Sequence, residues 1–123
     1  MNLESFLNCL KDFNSNDIIW DDHPLNAGRA GTIGTRAGNY SVQTSDLLLV
    51  LGARLNIRQI SYNWESFADQ AWICHIDIDN SELEKPTLNQ DLKIQIDLNL
   101  FFKIMGELNL NDLRNSKMKQ WIR

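Results

Sequence analysis

The segment SDLLLVLGARLNIRQ, residues 45–59, holds an unbroken aliphatic run from Leu47 to Leu51. The run stops at Gly52, and two long cations, Arg54 and Arg58, follow at once. A continuous apolar run of this length, closed by Asp46 and Gly52, predicts a strand over 47–52 whose two faces are both covered, as in a parallel sheet. AWICHIDID (71–79) reads as a second strand and LKIQI (92–96) as a third. Between and after them come shorter polar segments and one amphipathic stretch. LNLFFKIMGEL (98–108) places Leu98, Phe101, Phe102, Met105 and Leu108 at helical spacing, with Asp97 as N-cap. Residues 35–44 predict a short helix, and NSELEK (80–85) a single turn ended by Pro86. SFLNCL (5–10) reads as a short strand, 14–34 as loop, and 56–69 as loop with one helical turn.

Strands alternating with helices imply an α/β fold built on a parallel sheet. In such sheets ligands sit at the carboxyl ends of the strands. That rule singles out Gly52 to Arg58, Asp77 to Asn80, and Asp97. The arginines admit two readings. They hold an anion such as a phosphate, which suits the planar guanidinium fork, or they are loop residues that are solvated or paired with Asp77 and Asp97.

Four of the six glycines crowd into GRAGTIGTRAG, residues 28–38. Their spacing is neither the G-x-G-x-x-G dinucleotide fingerprint nor a P-loop. The cluster is either backbone that a cofactor passes closely or a tight connection between elements. His75, Asp77 and Asp79 share one strand face, yet no closing ligand set makes them a metal site. Asp79 with Glu82 resembles a capping box, and His75 reads as a core histidine. No nucleophile–His pair or GxSxG motif is present, so the residues suggest a binding or scaffolding domain, not a catalyst.

The totals fit that picture. The chain has 123 residues, a net charge of −4 and 43% hydrophobic residues, enough for one domain with a core. The acidic balance argues against nucleic acid. No apolar run approaches the ~18 residues of a membrane span. The start, MNLESFLNCLKDF, lacks the basic lead of a signal peptide. Cys9 and Cys74 are isolated thiols, which read as reduced, buried and cytoplasmic.

Two longer stretches, DDHPLNAGRAGTIGTRAGNYSVQTSDLLLVLGARLNIRQ (21–59) and FADQAWICHIDIDNSELEKP (67–86), closely resemble the central domain of thiamine-diphosphate-dependent enzymes of the acetolactate synthase type. The loop NIRQISYNWESFA (56–68) is most similar to a subgroup found with polysaccharide biosynthesis genes. The resemblance spans roughly residues 14–108. It implies a Rossmann-like three-layer fold, a parallel sheet with helices on both faces. It also implies that thiamine diphosphate and magnesium, with the activating glutamate and the Gly-Asp-Gly motif, belong to other domains of a longer parent chain. The expected division is a central domain over 1–108, cut at its N-terminus, and a tail or linker over 109–123.

In acetolactate synthases this domain holds FAD, so FAD or another adenine nucleotide is the implied ligand. By motif, Gly31, Thr32, Ile33 and Gly34 would lie along the flavin. Gly52, Ala53, Arg54, Asn56 and Arg58 would follow the ribityl and phosphate part. Asp77 and Ile78 would reach the adenosine, with Asp97 nearby. Ile96 stands where flavin-binding relatives usually have glycine, and Asn56, Ile57 and Gln59 also depart from their pattern. The implied partners are the parent chain's other domains and further copies of itself, in the cytoplasm.

Overall fold

The computed structural model describes residues 20–24 and 26–107. The strand expected at 5–10 and the tail from Asn109 onward lie outside the described residues. Within them the order is α1 (Arg36–Gln43), β1 (Leu47–Leu51), α2 (Ile57–Ile60), a 3-10 turn (Trp64–Ser66), β2 (Trp72–Asp77), α3 (Asn80–Leu83), β3 (Leu92–Gln95) and α4 (Leu98–Glu107). Each strand and helix expected within these residues is present, and those that end inside them are one to three residues shorter. The 56–69 loop carries two short helical turns where the sequence suggested one.

The strands form one sheet in the order β1-β2-β3, all parallel. Leu47 pairs with Trp72 and Leu51 with Ile76, and Cys74 to Asp77 pair with Leu92 to Gln95. Side chains alternate across a strand, which divides the aliphatic runs between two cores. Leu48, Val50 and Ile73 pack on one face with Val42 of α1, Ile60 of α2, Phe67 and Ala68. Leu49, Cys74 and Ile76 pack on the other with Ile94, Ile96 and, from α4, Leu98 and Phe101. Helices therefore lie on both faces, which is why LLLVL has no polar side. Burial of each such aliphatic side chain stabilises the fold by about 1.5–3 kcal/mol. Cys74 is a buried free thiol, and burial pushes its pKa up.

The caps follow the local sequence. Thr35 Oγ1 accepts from the Gly38 N–H, at 3.0 Å, at the start of α1. Asn56 and Gln59 form a reciprocal capping box on α2. Asp97 Oδ1 accepts from the Asn99 N–H at 2.9 Å and starts α4. Among the described residues no helix is long and apolar enough to cross a membrane.

His75 sits in the middle of β2, 1% exposed. Its Nε2 lies 3.0 Å from the Ala53 carbonyl oxygen. That oxygen can only accept, so Nε2 carries the proton. Nδ1 is left without a hydrogen-bond partner. Burial holds the imidazole pKa below its ordinary 6.5, against the opposing pulls of the Ala53 carbonyl, Asp77, Gln90 and Glu82. Because the folded pKa is depressed, the unfolded chain takes up the proton first. Stability is therefore expected to fall as pH drops through 6.5, and to level off once the folded histidine also protonates. Urea melts from pH 7.5 to 5.5 would show the midpoint dropping. In His75→Leu that slope should flatten; an unchanged slope would place the titration elsewhere.

Candidate functional site

The carboxyl ends of β1 and β2 and the start of α4 meet at one edge of the sheet. Gly52 leaves β1 with φ of 58°, a left-handed conformation that side chains other than glycine rarely adopt. Its N–H donates to the Ile76 carbonyl at 2.8 Å, binding the end of β1 to β2. Ala53 follows, buried, with its carbonyl on His75. Leu55, 3% exposed, takes φ of 44°. It turns the chain from the strand end into α2 at some cost in backbone strain.

The arrangement separates the sequence-predicted residues into two groups. In the first, Gly31 to Gly34 lie against α2: the Thr32 N–H donates to the Arg58 carbonyl at 2.7 Å. Asn39 brackets Gly31, accepting from its N–H at 2.7 Å and donating to its carbonyl at 3.0 Å. A side chain on Gly31 would meet the Arg58 carbonyl at 2.7 Å, and one on Gly34 would meet the Arg29 carbonyl at 2.4 Å. The glycine cluster thus serves close approach of chain to chain. Thr32, Ile33 and Arg58 are exposed there.

The second group is Gly52, Ala53, Arg54, Asp77 and Ile78, at the ends of β1 and β2. Arg54 is not paired with Asp77 or Asp97. Its Nε donates to Glu82 Oε1 at 3.0 Å, and a terminal nitrogen lies 2.9 Å from the same oxygen. Glu82 is only 5% exposed, and Lys85 binds its other oxygen. Lys85 also donates to the Arg54 carbonyl at 3.2 Å. Burial raises the Glu82 pKa, but the hydrogen bonds and charges of Lys85 and Arg54 outweigh it and hold the carboxyl below its ordinary value. Asp79 caps α3 through Ser81, as its position suggested. Glu82 does not complete the capping box; it turns inward to the two cations. Asp77 is buried and accepts from the Asp79 N–H at 2.9 Å. Ile78 is 65% exposed.

Asn56 and Asp97 stand at helix starts, and each spends a side-chain oxygen there. Ile96 packs into the second core. A side chain built on Gly52 would meet Leu98 Cδ1 at 2.9 Å, so the first turn of α4 stands beside that glycine. Among the described residues no group of three or more His, Cys, Asp or Glu could hold a metal ion.

Glu82 and Lys85 are the residues that sequence reasoning missed at this edge. Twenty-eight positions separate Arg54 from Glu82, and no local pattern carries a contact at that range. The i,i+3 spacing of Glu82 and Lys85 was the one available signal.

Comparison with known proteins agrees with the geometry. Residues 7–105 match the family described as thiamine pyrophosphate enzyme, central domain. The chain is 37% identical over 112 residues to a probable acetolactate synthase large subunit of Methanococcus aeolicus, covering 85% of this chain and 18% of that protein. It is 49% identical over 63 residues to the acetolactate synthase isozyme 1 large subunit of Escherichia coli K12, covering 51% of this chain and 11% of that protein. A probable chloroplastic acetolactate synthase 2 of Oryza sativa is 47% identical over 64 residues, covering 52% and 10%. The chain thus spans less than a fifth of the length of these relatives. With a three-stranded parallel sheet, helices on both faces and the family match across most of its length, the chain belongs to the thiamine pyrophosphate enzyme central-domain family.

Proposed function

We propose that this chain is the non-catalytic central domain of an acetolactate-synthase-type enzyme acting on 2-oxo acids. The identity to an acetolactate synthase subunit across 85% of the chain carries the reading. Thiamine diphosphate and magnesium would be held by other domains of that enzyme, and would supply the carbanion chemistry there. The domain's own work is to join those parts in a fixed geometry. Its residues agree with that role: Arg54 and Lys85 at the strand ends are held by Glu82, and Asp77, Asp79 and Asp97 by local N–H groups. The test is direct. The 123-residue chain, given thiamine diphosphate, magnesium and pyruvate, is expected to release no carbon dioxide above background. Residues 20–107 grafted in place of the matching segment of the Escherichia coli relative should leave an active enzyme. Turnover by the isolated chain would overturn the reading.

FAD is the ligand that the family resemblance suggests for the strand ends. In this conformation the residues do not fit its phosphates. The tip of the Leu98 side chain stands where a side chain on Gly52 would go, and Glu82 already holds Arg54. Glu82 takes up the charges of Arg54 and Lys85, and Asp77 and Asp79 add two more carboxylates at the same edge, which leaves little net positive charge for an anion. We expect FAD and ADP to leave the melting temperature of the chain unchanged. A ligand at a hundredfold over its Kd would add about 2.7 kcal/mol of stability. A shift of that size, lost in Arg54→Ala, would return the strand ends to cofactor binding.

A further inference from the structure

At the amino end of the sheet, away from the strand ends just described, the loop after α2 and the loop before β3 border an open cleft of about 350 Å³. That volume is in the range of small-ligand pockets. Its lining has a consistent chemistry. Trp64 and Phe67 offer aromatic rings, and Glu65, Asp69 and Asp91 offer carboxylates. Among the described residues no Lys, Arg or His lines it. Among the described residues none of those three carboxylates takes part in a salt bridge. Asp91 is held in place: Oδ2 accepts from the Ile73 N–H at 2.7 Å, and its own N–H donates to the Ile73 carbonyl at 3.0 Å. One oxygen is thereby tied to β2, while Oδ1 has no such bond. Phe67 is 7% exposed, so its ring is set by the core.

Carboxylates around an open cleft favour a cation there, and aromatic faces attract one. A hydrocarbon stem would pack on Trp64 while its charged head met the acids. We propose that this cleft binds an organic cation, an ammonium or guanidinium head on a short apolar stem. A free amine has this chemistry, and so does a lysine or arginine side chain. Residues 109–123 of this chain carry four such side chains, Arg114, Lys117, Lys119 and Arg123.

The probe is butylammonium chloride, titrated into the full chain at constant ionic strength. The indole N–H resonances are followed by NMR, with Trp64 assigned from Trp64→Phe. A second protein, the full chain with Arg114, Lys117, Lys119 and Arg123 all changed to Gln, is titrated in parallel. Saturable movement of the Trp64 signal at millimolar concentration is expected in at least one of the two. Movement in both alike identifies a free-cation site. Movement confined to the Gln variant means the tail already fills the cleft. In either case Glu65→Gln/Asp69→Asn, two exposed positions whose change should spare the fold, is expected to weaken binding at least fivefold in the background that binds. The proposal is overturned by a Trp64 signal that saturates in neither protein. It is equally overturned if 1-butanol moves the signal as far, or if the Glu65/Asp69 double variant binds as tightly.

Discussion

Gly38→Ala is expected to destabilise the chain by about 2–3 kcal/mol, the cost of forcing extra volume into a packed site. The sign is what makes the experiment informative. Gly38 lies inside α1, where alanine would ordinarily improve a helix by about 1 kcal/mol. Here the added carbon would stand 2.4 Å from the Arg29 carbonyl oxygen, 2.5 Å from its carbon and 2.9 Å from its nitrogen. All three are backbone atoms, so no side chain can swing aside. The Arg29 peptide is fixed in turn, because its carbonyl accepts from the Thr35 N–H at 2.7 Å. Chemical denaturation of the two proteins side by side decides the matter. A midpoint that rises would mean that helix propensity outweighs the contact.

The second large effect concerns Glu82. The double variant Arg54→Ala/Lys85→Met strips both cations from a carboxylate that is 5% exposed. Leaving a buried charge unpaired costs about 3–5 kcal/mol. We expect a loss near the lower figure at pH 7, since the edge of the sheet is close to water. The loss should shrink as pH falls, because protonation removes the charge. In the native chain the dependence is the reverse. The depressed Glu82 pKa contributes stability above the ordinary carboxyl value of 4.5, and that stability is lost as pH falls below it. Adding Glu82→Leu to the double variant should recover most of the loss, as an apolar residue needs no partner. If the triple variant is no more stable than the double one, the cost lies in the packing of the Arg54 and Lys85 stems and not in the charge.

These two cases also mark what could be read from the sequence. β1 was legible because burial on both faces requires an aliphatic run, and few other structures tolerate LLLVL; β3, largely exposed, was legible from the alternation of LKIQ. The starts of α3 and α4 were legible because Asp79 and Asp97 act within three residues of themselves. GRAGTIGTRAG announced close approach of backbone to something. Whether that something was a ligand or Arg29 and Arg58 depends on chain that is distant in sequence, and composition is silent on it. Arg54 raised the same difficulty. Spacing put it at a strand end, and only the fold brought Glu82 across to hold it. Trp64 and Asp91 came together in the same way, from loops that carry no shared motif.

Gly52 and Leu98 have a mechanical consequence. The helix that begins at Leu98 has ten residues, so it is about 15 Å long, and its first turn rests on the glycine where β1 ends. Anything that pressed into that strand end would have to lift Leu98, and a stiff rod pivoting there would swing its far end, near Glu107.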